Sequence, residues 1–138
     1  MNRYTFDDIE IGMKESFDVT VTEEMMRSFR EITGDINPLH NDPEFAGSKG
    51  YDDKVVFGML TASFLSTLAG VYIPGENSLI RETEVKFKKP VYVGDRLTVT
   101  GEVSEIRRDF GVFWLKVSIT DQSGEKVLRG KMQIGIQL

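Results

Sequence analysis

Residues 55–73 read VVFGMLTASFLSTLAGVYI and contain no charged side chain. From about Gly58 to Tyr72 this segment is predicted as a helix, which Pro74-Gly75 closes. Its apolar side chains cover most of the helix circumference, so other structure should surround it. They are Met59, Leu60, Phe64, Leu65, Leu68 and Val71. Hydroxyl residues interrupt the run, which favours a buried core helix over a membrane span.

The second half of the chain has the pattern of β-strands. Four runs are rich in Val, Ile, Thr and aromatic residues, and a shorter run lies near the N-terminus. They cover residues 78–87, 96–106, 110–120, 126–136 and 16–21. The turns between the four runs are short, which predicts antiparallel pairing because parallel strands need longer crossovers. Gly101 and Gly130 lie inside strands and predict bulges or bends that curve the sheet.

These elements together predict an α+β fold. One curved antiparallel sheet would wrap around the long central helix. The 138 residues suit one compact domain with a substantial core, so we expect a single domain over residues 1–138.

A shorter helix is predicted near the N-terminus. Thr22 is a suitable N-cap, and two glutamates follow it, where the helix dipole favours negative charge. Apolar residues at helical spacing are expected to face the core. They are Met25, Met26, Phe29 and Ile32. Gly34 is expected to end the helix, and the Asn-Pro and Asp-Pro pairs that follow predict irregular backbone.

The segment after this helix contains the only histidine of the chain, His40, five positions after Asp35. Histidine exchanges a proton near neutral pH, and a neighbouring carboxylate suits acid–base chemistry on a small substrate. Taken alone, the pair has a simpler explanation, because Asp35 could cap a turn and His40 could bond a backbone carbonyl. The pair is therefore a candidate site that needs support from the rest of the chain.

Composition argues against several function classes. The net charge is −5 and the basic residues are scattered along the sequence, so we expect no nucleic-acid partner. There is no cysteine, which excludes disulfides and thiolate chemistry, and a single histidine argues against a histidine metal centre. The first residues are polar and acidic, unlike a signal peptide, so we expect a cytoplasmic protein.

Three segments together resemble one protein family. Gly34-Asp35-Ile36-Asn37-Pro38-Leu39-His40, followed by Ala46, closely resembles the signature of the MaoC-like (R)-specific enoyl-CoA hydratases. Residues 57–63 resemble the start of that family's central helix, and residues 89–95 resemble its strand-connecting segment. The resemblance extends over nearly the whole chain. It implies the hot-dog fold, in which a sheet curls around one helix, and a homodimer with active sites near the subunit interface.

The resemblance also assigns roles to individual residues of this sequence. Asp35 and His40 match the catalytic pair, and Gly58 matches the glycine whose backbone N–H forms the oxyanion hole. Ser66 matches a serine that helps to position the catalytic residues, although it could equally bond its own helix backbone. Asn37 occupies the asparagine position of the motif and would shape the loop.

The implied reaction is the (R)-specific hydration of a trans-2-enoyl-CoA to an (R)-3-hydroxyacyl-CoA, or the reverse dehydration, by a lyase. Asp35 and His40 would activate one water molecule. The N–H of Gly58, at the start of the long helix, would stabilise the developing oxyanion of the thioester. We expect no metal and no cofactor, since coenzyme A enters as part of the acyl-CoA substrate.

Two features leave the choice of substrate open. The family usually has histidine directly before the oxyanion-hole glycine, whereas this chain has Phe57, which can change the polarity of the pocket. Lys86, Lys88 and Lys89 could attract the phosphates of coenzyme A, or they could form a solvated strand edge that discourages aggregation.

Two other functions fit the same fold. The first is a hot-dog thioesterase, which commonly has a catalytic carboxylate on or beside the central helix. Residues 55–75 contain neither Asp nor Glu, which argues against this function. A non-catalytic acyl-CoA-binding module would have no need for both Asp35 and His40. The hydratase is therefore the preferred hypothesis.

Overall fold

The computed structural model describes residues 1–137 and consists of an antiparallel sheet with helices on one side. The strands are β1 (Lys14–Thr20), β2 (Ser78–Phe87), β3 (Arg96–Arg107), β4 (Val112–Thr120) and β5 (Lys126–Ile136). The helices are α1 (Glu23–Thr33), α2 (Pro38–Asn41), α3 (Pro43–Ser48) and α4 (Gly58–Thr67). The strand order is β1-β3-β4-β5-β2, so β1 and β2 form the two edges. This arrangement confirms the predicted α+β class.

Helix α4 lies on the inner face of the sheet and forms the centre of the core. Alternation along β3 and β4 buries every second side chain, as expected for strands with one covered face. Leu60 and Leu65 of α4 belong to this core, as does Leu68 in the π-helical turn Leu68–Tyr72 that follows. A Cβ at Gly101 would lie 2.9 Å from Leu68 Cδ2, so glycine allows the turn to approach β3 closely.

The central helix is less covered than its sequence predicts. Met59 is 65% exposed and Val71 is 38% exposed, so the expectation of structure on all sides is wrong at these positions. The physical reason is that a single sheet covers one side of a helix and leaves the opposite side without a partner. Within residues 1–137, no helix combines the length and the apolar character that crossing a membrane requires.

Helix α1 begins and ends as predicted. The Thr22 hydroxyl accepts a hydrogen bond from the Met25 N–H at 3.2 Å, and Gly34 ends the helix in the left-handed conformation at φ 74°. Met26 is buried, but Ile32 is 82% exposed, so its predicted place in the core is wrong. Ile32 lies six residues after Met26, which places it about 120° away around the helix and on the flank of the apolar stripe.

The segment after α1 forms two short helices where irregular backbone was predicted. Asn37 caps α2 and Asp42 caps α3, because each side chain accepts hydrogen bonds from backbone N–H groups of the turn that follows. Pro38 and Pro43 occupy the first helical positions, where the missing N–H costs nothing. The Asn-Pro and Asp-Pro pairs are therefore helix starts.

The two strand glycines do not mark bulges. The pairing register shifts between Ile80 and Glu82, between Val103 and Glu105, and between Ile119 and Thr120. At Gly130 a Cβ would lie 2.1 Å from the Glu84 backbone oxygen. Neither glycine lies at one of these shifts, so the bulge alternative of the prediction is wrong, and the alternative of a bend stays a prediction. Both glycines permit close contacts with neighbouring elements.

Candidate active site

The predicted site residues meet at a cavity of about 770 Å³ beside the start of α4, which we call the large cavity. Asp35, His40 and Gly58 all line it. The rest of its lining is mainly apolar and comes from α1, α4 and β2. These residues are Phe29, Thr33, Phe57, Met59, Ala62, Ser63, Thr83, Val85 and Phe87. A small cavity of about 280 Å³ shares His40, Gly58 and Phe87, so the two cavities meet at the candidate site.

Asp35 is held by the turn that ends α1. Its backbone N–H donates to the Thr33 hydroxyl at 3.2 Å, and its Oδ1 accepts the Asn37 N–H at 3.0 Å. Among residues 1–137, no protein group donates a hydrogen bond to Oδ2. One carboxylate oxygen therefore fixes the side chain, and the other is available to a molecule in the cavity.

Asn37 supports this arrangement from outside the cavity lining. Its Oδ1 accepts the Leu39 N–H at 2.9 Å, and its backbone oxygen accepts Asn41 Nδ2 at 2.7 Å. Asn41 Oδ1 in turn accepts Arg30 Nη1 at 2.6 Å, which ties α2 to α1. Arg30 and Asn41 were not predicted as site residues, because nothing in their spacing indicates a hydrogen bond between the two helices.

His40 is oriented by one hydrogen bond and one aromatic contact. Its Nδ1 lies 2.7 Å from the backbone oxygen of Val55. A carbonyl oxygen only accepts, so Nδ1 carries the proton and Nε2 is the basic nitrogen of the neutral ring. The His40 and Phe57 ring centroids are 4.5 Å apart, with 33° between the ring planes. Phe57 is therefore in direct contact with the catalytic candidate.

Gly58 is the first residue of α4, so its N–H precedes the first intrahelical hydrogen bond and remains available. The helix dipole adds partial positive charge at this end, which suits a developing oxyanion. A Cβ at this position would lie 3.1 Å from Phe87 Cε1, closer than an ordinary carbon contact. The absence of a side chain thus lets the Phe87 ring pack against the start of α4.

The structure does not bring Ser66 to the large cavity. Ser66 is exposed and lies eight residues after Gly58, about 12 Å further along the helix axis. Ser63, which is closer to Gly58, lines the cavity, and its hydroxyl donates to the Leu60 oxygen at 2.6 Å. The supporting role of Ser66 stays a prediction, and it would require contacts from beyond this chain.

Lys86, near the end of β2, and Lys88 and Lys89, directly after it, differ in their surroundings. Lys89 forms ion pairs with Asp121 and Glu125, and these hydrogen bonds raise the pKa of the Lys89 ammonium above its ordinary range. The Lys89 ammonium also holds the pKa of the Asp121 carboxyl below its ordinary value. Lys86 lines a different concavity, on the outer face of the sheet. Lys88 lines the small cavity and has no carboxylate within 4.0 Å among residues 1–137.

Thr61 is a further cavity residue that was not predicted from the sequence. It lines the small cavity one helical turn after Gly58 and is 2% exposed. Its hydroxyl is buried and has no hydrogen-bond partner among residues 1–137. A threonine in an apolar helix gives no sequence signal for such a position, because hydroxyls in helices usually bond the preceding turn.

The chain is similar in sequence to known proteins. The model of the MaoC like domain matches residues 7–121. An (R)-specific enoyl-CoA hydratase from Aeromonas caviae is 34% identical over 123 residues, which is 89% of this chain and 92% of the relative. A 3-hydroxybutyryl-CoA dehydratase from Methylorubrum extorquens is 32% identical over 101 residues, which is 73% of this chain and 64% of the relative.

Solved structures show the same fold. The structure described as the (R)-hydratase from A. caviae involved in PHA biosynthesis has a TM-score of 0.89 at 32% identity, covering 94% of this chain and 98% of that chain. The unliganded R-hydratase PhaJ1 from Pseudomonas aeruginosa has a TM-score of 0.88 at 25% identity, covering 95% of this chain and 84% of that chain. The predicted hot-dog fold and the predicted family of hydro-lyases are confirmed. The chain belongs to the MaoC-like domain family.

Proposed function

We propose that this protein is an (R)-specific enoyl-CoA hydratase, which adds water to a trans-2-enoyl-CoA and also catalyses the reverse dehydration. The observation that carries the proposal is the convergence of Asp35, His40 and Gly58 on one largely apolar cavity. The proposal is also supported by the 34% identical relative from Aeromonas caviae, which is named (R)-specific enoyl-CoA hydratase. Addition of water to an enoyl thioester needs acid–base groups, which Asp35 and His40 would supply, and a donor to the thioester oxygen, which the Gly58 N–H would supply.

The reaction requires a nucleophilic water, a proton for C2 and stabilisation of the enolate oxygen. Asp35 Oδ2 and His40 Nε2 would hold one water between them and activate it, a contribution of about 10²–10⁴-fold. The water oxygen bonds to C3, and the proton that the water gives up is delivered to C2, so the elements of water are conserved. The Gly58 N–H would bind the thioester oxygen, a contribution of about 10²–10³-fold.

The two cavities suggest how the rest of the substrate binds. The large cavity, lined by Phe29, Met59 and Val85, would accept the acyl chain. The small cavity would accept the thioester arm, with Lys88 as the cation available to the phosphates of coenzyme A. The proposal requires no metal or further cofactor. Among residues 1–137, no cluster of three or more His, Cys, Asp or Glu side chains suits a metal ion.

We also propose that the chain acts as a homodimer. Strand β2 is an edge strand, so one side of its backbone has no partner within the sheet. Leu79, Ile80 and Phe87 of this strand are exposed, as is Met59 of the central helix. Exposed apolar residues grouped at an unpaired edge are typical of a protein–protein interface. Phe87 and Met59 also line the large cavity, so a partner here would border the site.

One assay tests the proposed reaction against its alternatives. Purified protein is mixed with crotonyl-CoA, and the loss of the conjugated enoyl absorbance is followed together with the release of free thiol. Enoyl loss without thiol release is the expected result. Thiol release would indicate a thioesterase. Binding of crotonyl-CoA without either change would indicate a non-catalytic acyl-CoA-binding module and would contradict the proposal.

A further inference from the structure

We propose that Phe57 is a positioning residue that holds the His40 ring in the Nδ1–H tautomer with Nε2 available to the cavity. The inference rests on the proposed function, because there His40 Nε2 binds and activates the water. It concerns the position at which this chain departs from the usual family pattern, with phenylalanine in place of histidine directly before Gly58.

Phe57 lies between the catalytic histidine and helix α1. It is 1% exposed, and its ring centroid is 4.5 Å from that of His40 and 4.8 Å from that of Phe29. Both distances fall at the short end of the range for aromatic pairs. Phe29 belongs to the helix that leads into Asp35, and Gly58 follows Phe57 directly. One buried ring therefore connects the three parts of the site.

The segment 55–57 fixes the imidazole at two points. The Val55 oxygen accepts the bond from His40 Nδ1 at 2.7 Å, and the Phe57 ring covers one side of the imidazole. The segment is itself fixed, since the Val55 N–H donates to the Leu39 oxygen at 3.0 Å and the Val56 N–H donates to the Val91 oxygen at 2.8 Å. A single hydrogen bond would allow the ring to tilt about it, and the aromatic contact opposes that tilt.

The apolar character of Phe57 also determines which hydrogen bonds His40 can make. The histidine that is usual in the family at this position would place a second pair of ring nitrogens beside His40. Phenylalanine offers no such partner. The imidazole is therefore left with one protein acceptor on the Nδ1 side and the cavity on the Nε2 side.

The test uses the fact that His40 is the only histidine. In a tag-free, ¹⁵N-labelled protein at a pH where the ring is neutral, the imidazole ¹⁵N signals report this side chain alone. We expect one protonated Nδ1 and one unprotonated Nε2. In Phe57→Leu we expect averaged signals from two tautomers. The kcat for crotonyl-CoA should fall by about 10–100-fold, with KM changed by less than about threefold.

Phe113→Leu is the matched control, because Phe113 is a fully buried ring on β4 that lines neither cavity. It should keep the wild-type tautomer and a kcat close to wild type. If Phe57→Leu fails to fold, Phe57→His provides the second variant. Its planar ring should retain folding, the contact with His40 and a kcat within about threefold of the wild type.

Several outcomes would overturn the inference. The first is a wild-type protein in which the His40 ring already mixes tautomers. The second is a Phe57→Leu protein that keeps both the single tautomer and the wild-type kcat. The third is a Phe57→Leu protein in which kcat falls without any change of tautomer. A Phe57→His protein that folds normally but loses about tenfold or more in kcat would also contradict it. The tautomer is measured without substrate, so a protein that lacks hydratase activity would refute the proposed function while the NMR result still decides the role of Phe57.

Discussion

Replacing Gly58 with alanine tests the part of the site that depends on backbone alone. The added Cβ would lie 3.1 Å from Phe87 Cε1, whereas ordinary carbon contacts are about 3.5–4.0 Å. The Phe87 ring or the start of α4 must therefore move by about half an ångström. Either movement changes the space in which the thioester oxygen would meet the Gly58 N–H.

The expected magnitudes separate catalysis from folding. Phe87 is 52% exposed within the single chain, so no other element of the same chain blocks a small shift of its ring. Alanine favours a helix by up to about 1 kcal/mol over glycine. The free energy of unfolding should therefore change by less than about 1 kcal/mol. A displacement of about 1 Å at a reacting group can cost about 10²-fold, so we expect kcat/KM to fall by about 10–100-fold, or about 1.4–2.7 kcal/mol.

The assay is hydration of crotonyl-CoA, with thermal unfolding measured on the same samples. Gly47→Ala is the matched control, because Gly47 lies in α3 and a Cβ there would meet no atom within 4 Å. It should keep wild-type kcat/KM. If Gly58→Ala also stays within about twofold of wild type while folding normally, the oxyanion role of the Gly58 N–H is wrong.

Three further changes test other parts of the structure. Lys88→Ala should raise the KM for crotonyl-CoA by about 5–10-fold and make that KM less dependent on salt, because Lys88 lines the small cavity and, unlike Lys89, forms no ion pair within residues 1–137. Asp121→Asn should lower Tm at neutral pH, since the Asp121 pKa is held below its ordinary value by Lys89. Arg30→Met should lower kcat by about tenfold by releasing α2 from α1, with a loss of about 1 kcal/mol in stability.

Each of these changes has its own control. Lys86→Ala should leave KM unchanged, and an equal effect of both lysines would mean that only net charge matters. The Asp121→Asn difference in Tm should be largest above about pH 4 and shrink as acid protonates the wild-type carboxylate, so a constant difference would exclude the ion pair as its cause. The effects of Arg30→Met and Asn41→Ala on kcat should not add in the double variant, because both remove the same hydrogen bond. Additive effects on kcat would disprove the coupling of the two residues.

The fold was predictable because its main signals are local. The uncharged run at 55–73 and the alternating strands each follow from side-chain periodicity, and short turns determine antiparallel pairing. The exposure of Met59 and Ile32 was not predictable in this way. Periodicity identifies an apolar surface but does not say whether the same chain covers it.

The site was predictable only in part. Asp35, His40 and Gly58 lie in recognisable sequence contexts, and the structure places all three on one cavity. The hydrogen bond between Arg30 and Asn41 depends on where α2 lies relative to α1, which no short motif encodes. The exposed position of Ser66 depends on where α4 lies relative to the loop, and spacing along one helix does not define that distance.

The grouping of basic residues on the surface was also not predicted from the sequence. Basic residues that are scattered along the chain gather on the outer face of the sheet, where alternate positions of neighbouring strands lie side by side. They are Lys14, Lys86, Lys116, Lys126, Arg129 and Lys131, interspersed with Glu84 and Glu102. Strand register, which was not predicted here residue by residue, brings them together.

The most direct test of the proposed mechanism is the kcat of Asp35→Asn for hydration of crotonyl-CoA. The amide has the same shape as the carboxylate, and its oxygen can still accept the Asn37 N–H, so the loop and the Tm should be preserved. We predict that kcat falls by at least about 10²-fold, because the remaining amide cannot activate the water. A kcat within about threefold of the wild-type value, in a normally folded protein, would contradict the assignment of Asp35 and His40 as the catalytic pair.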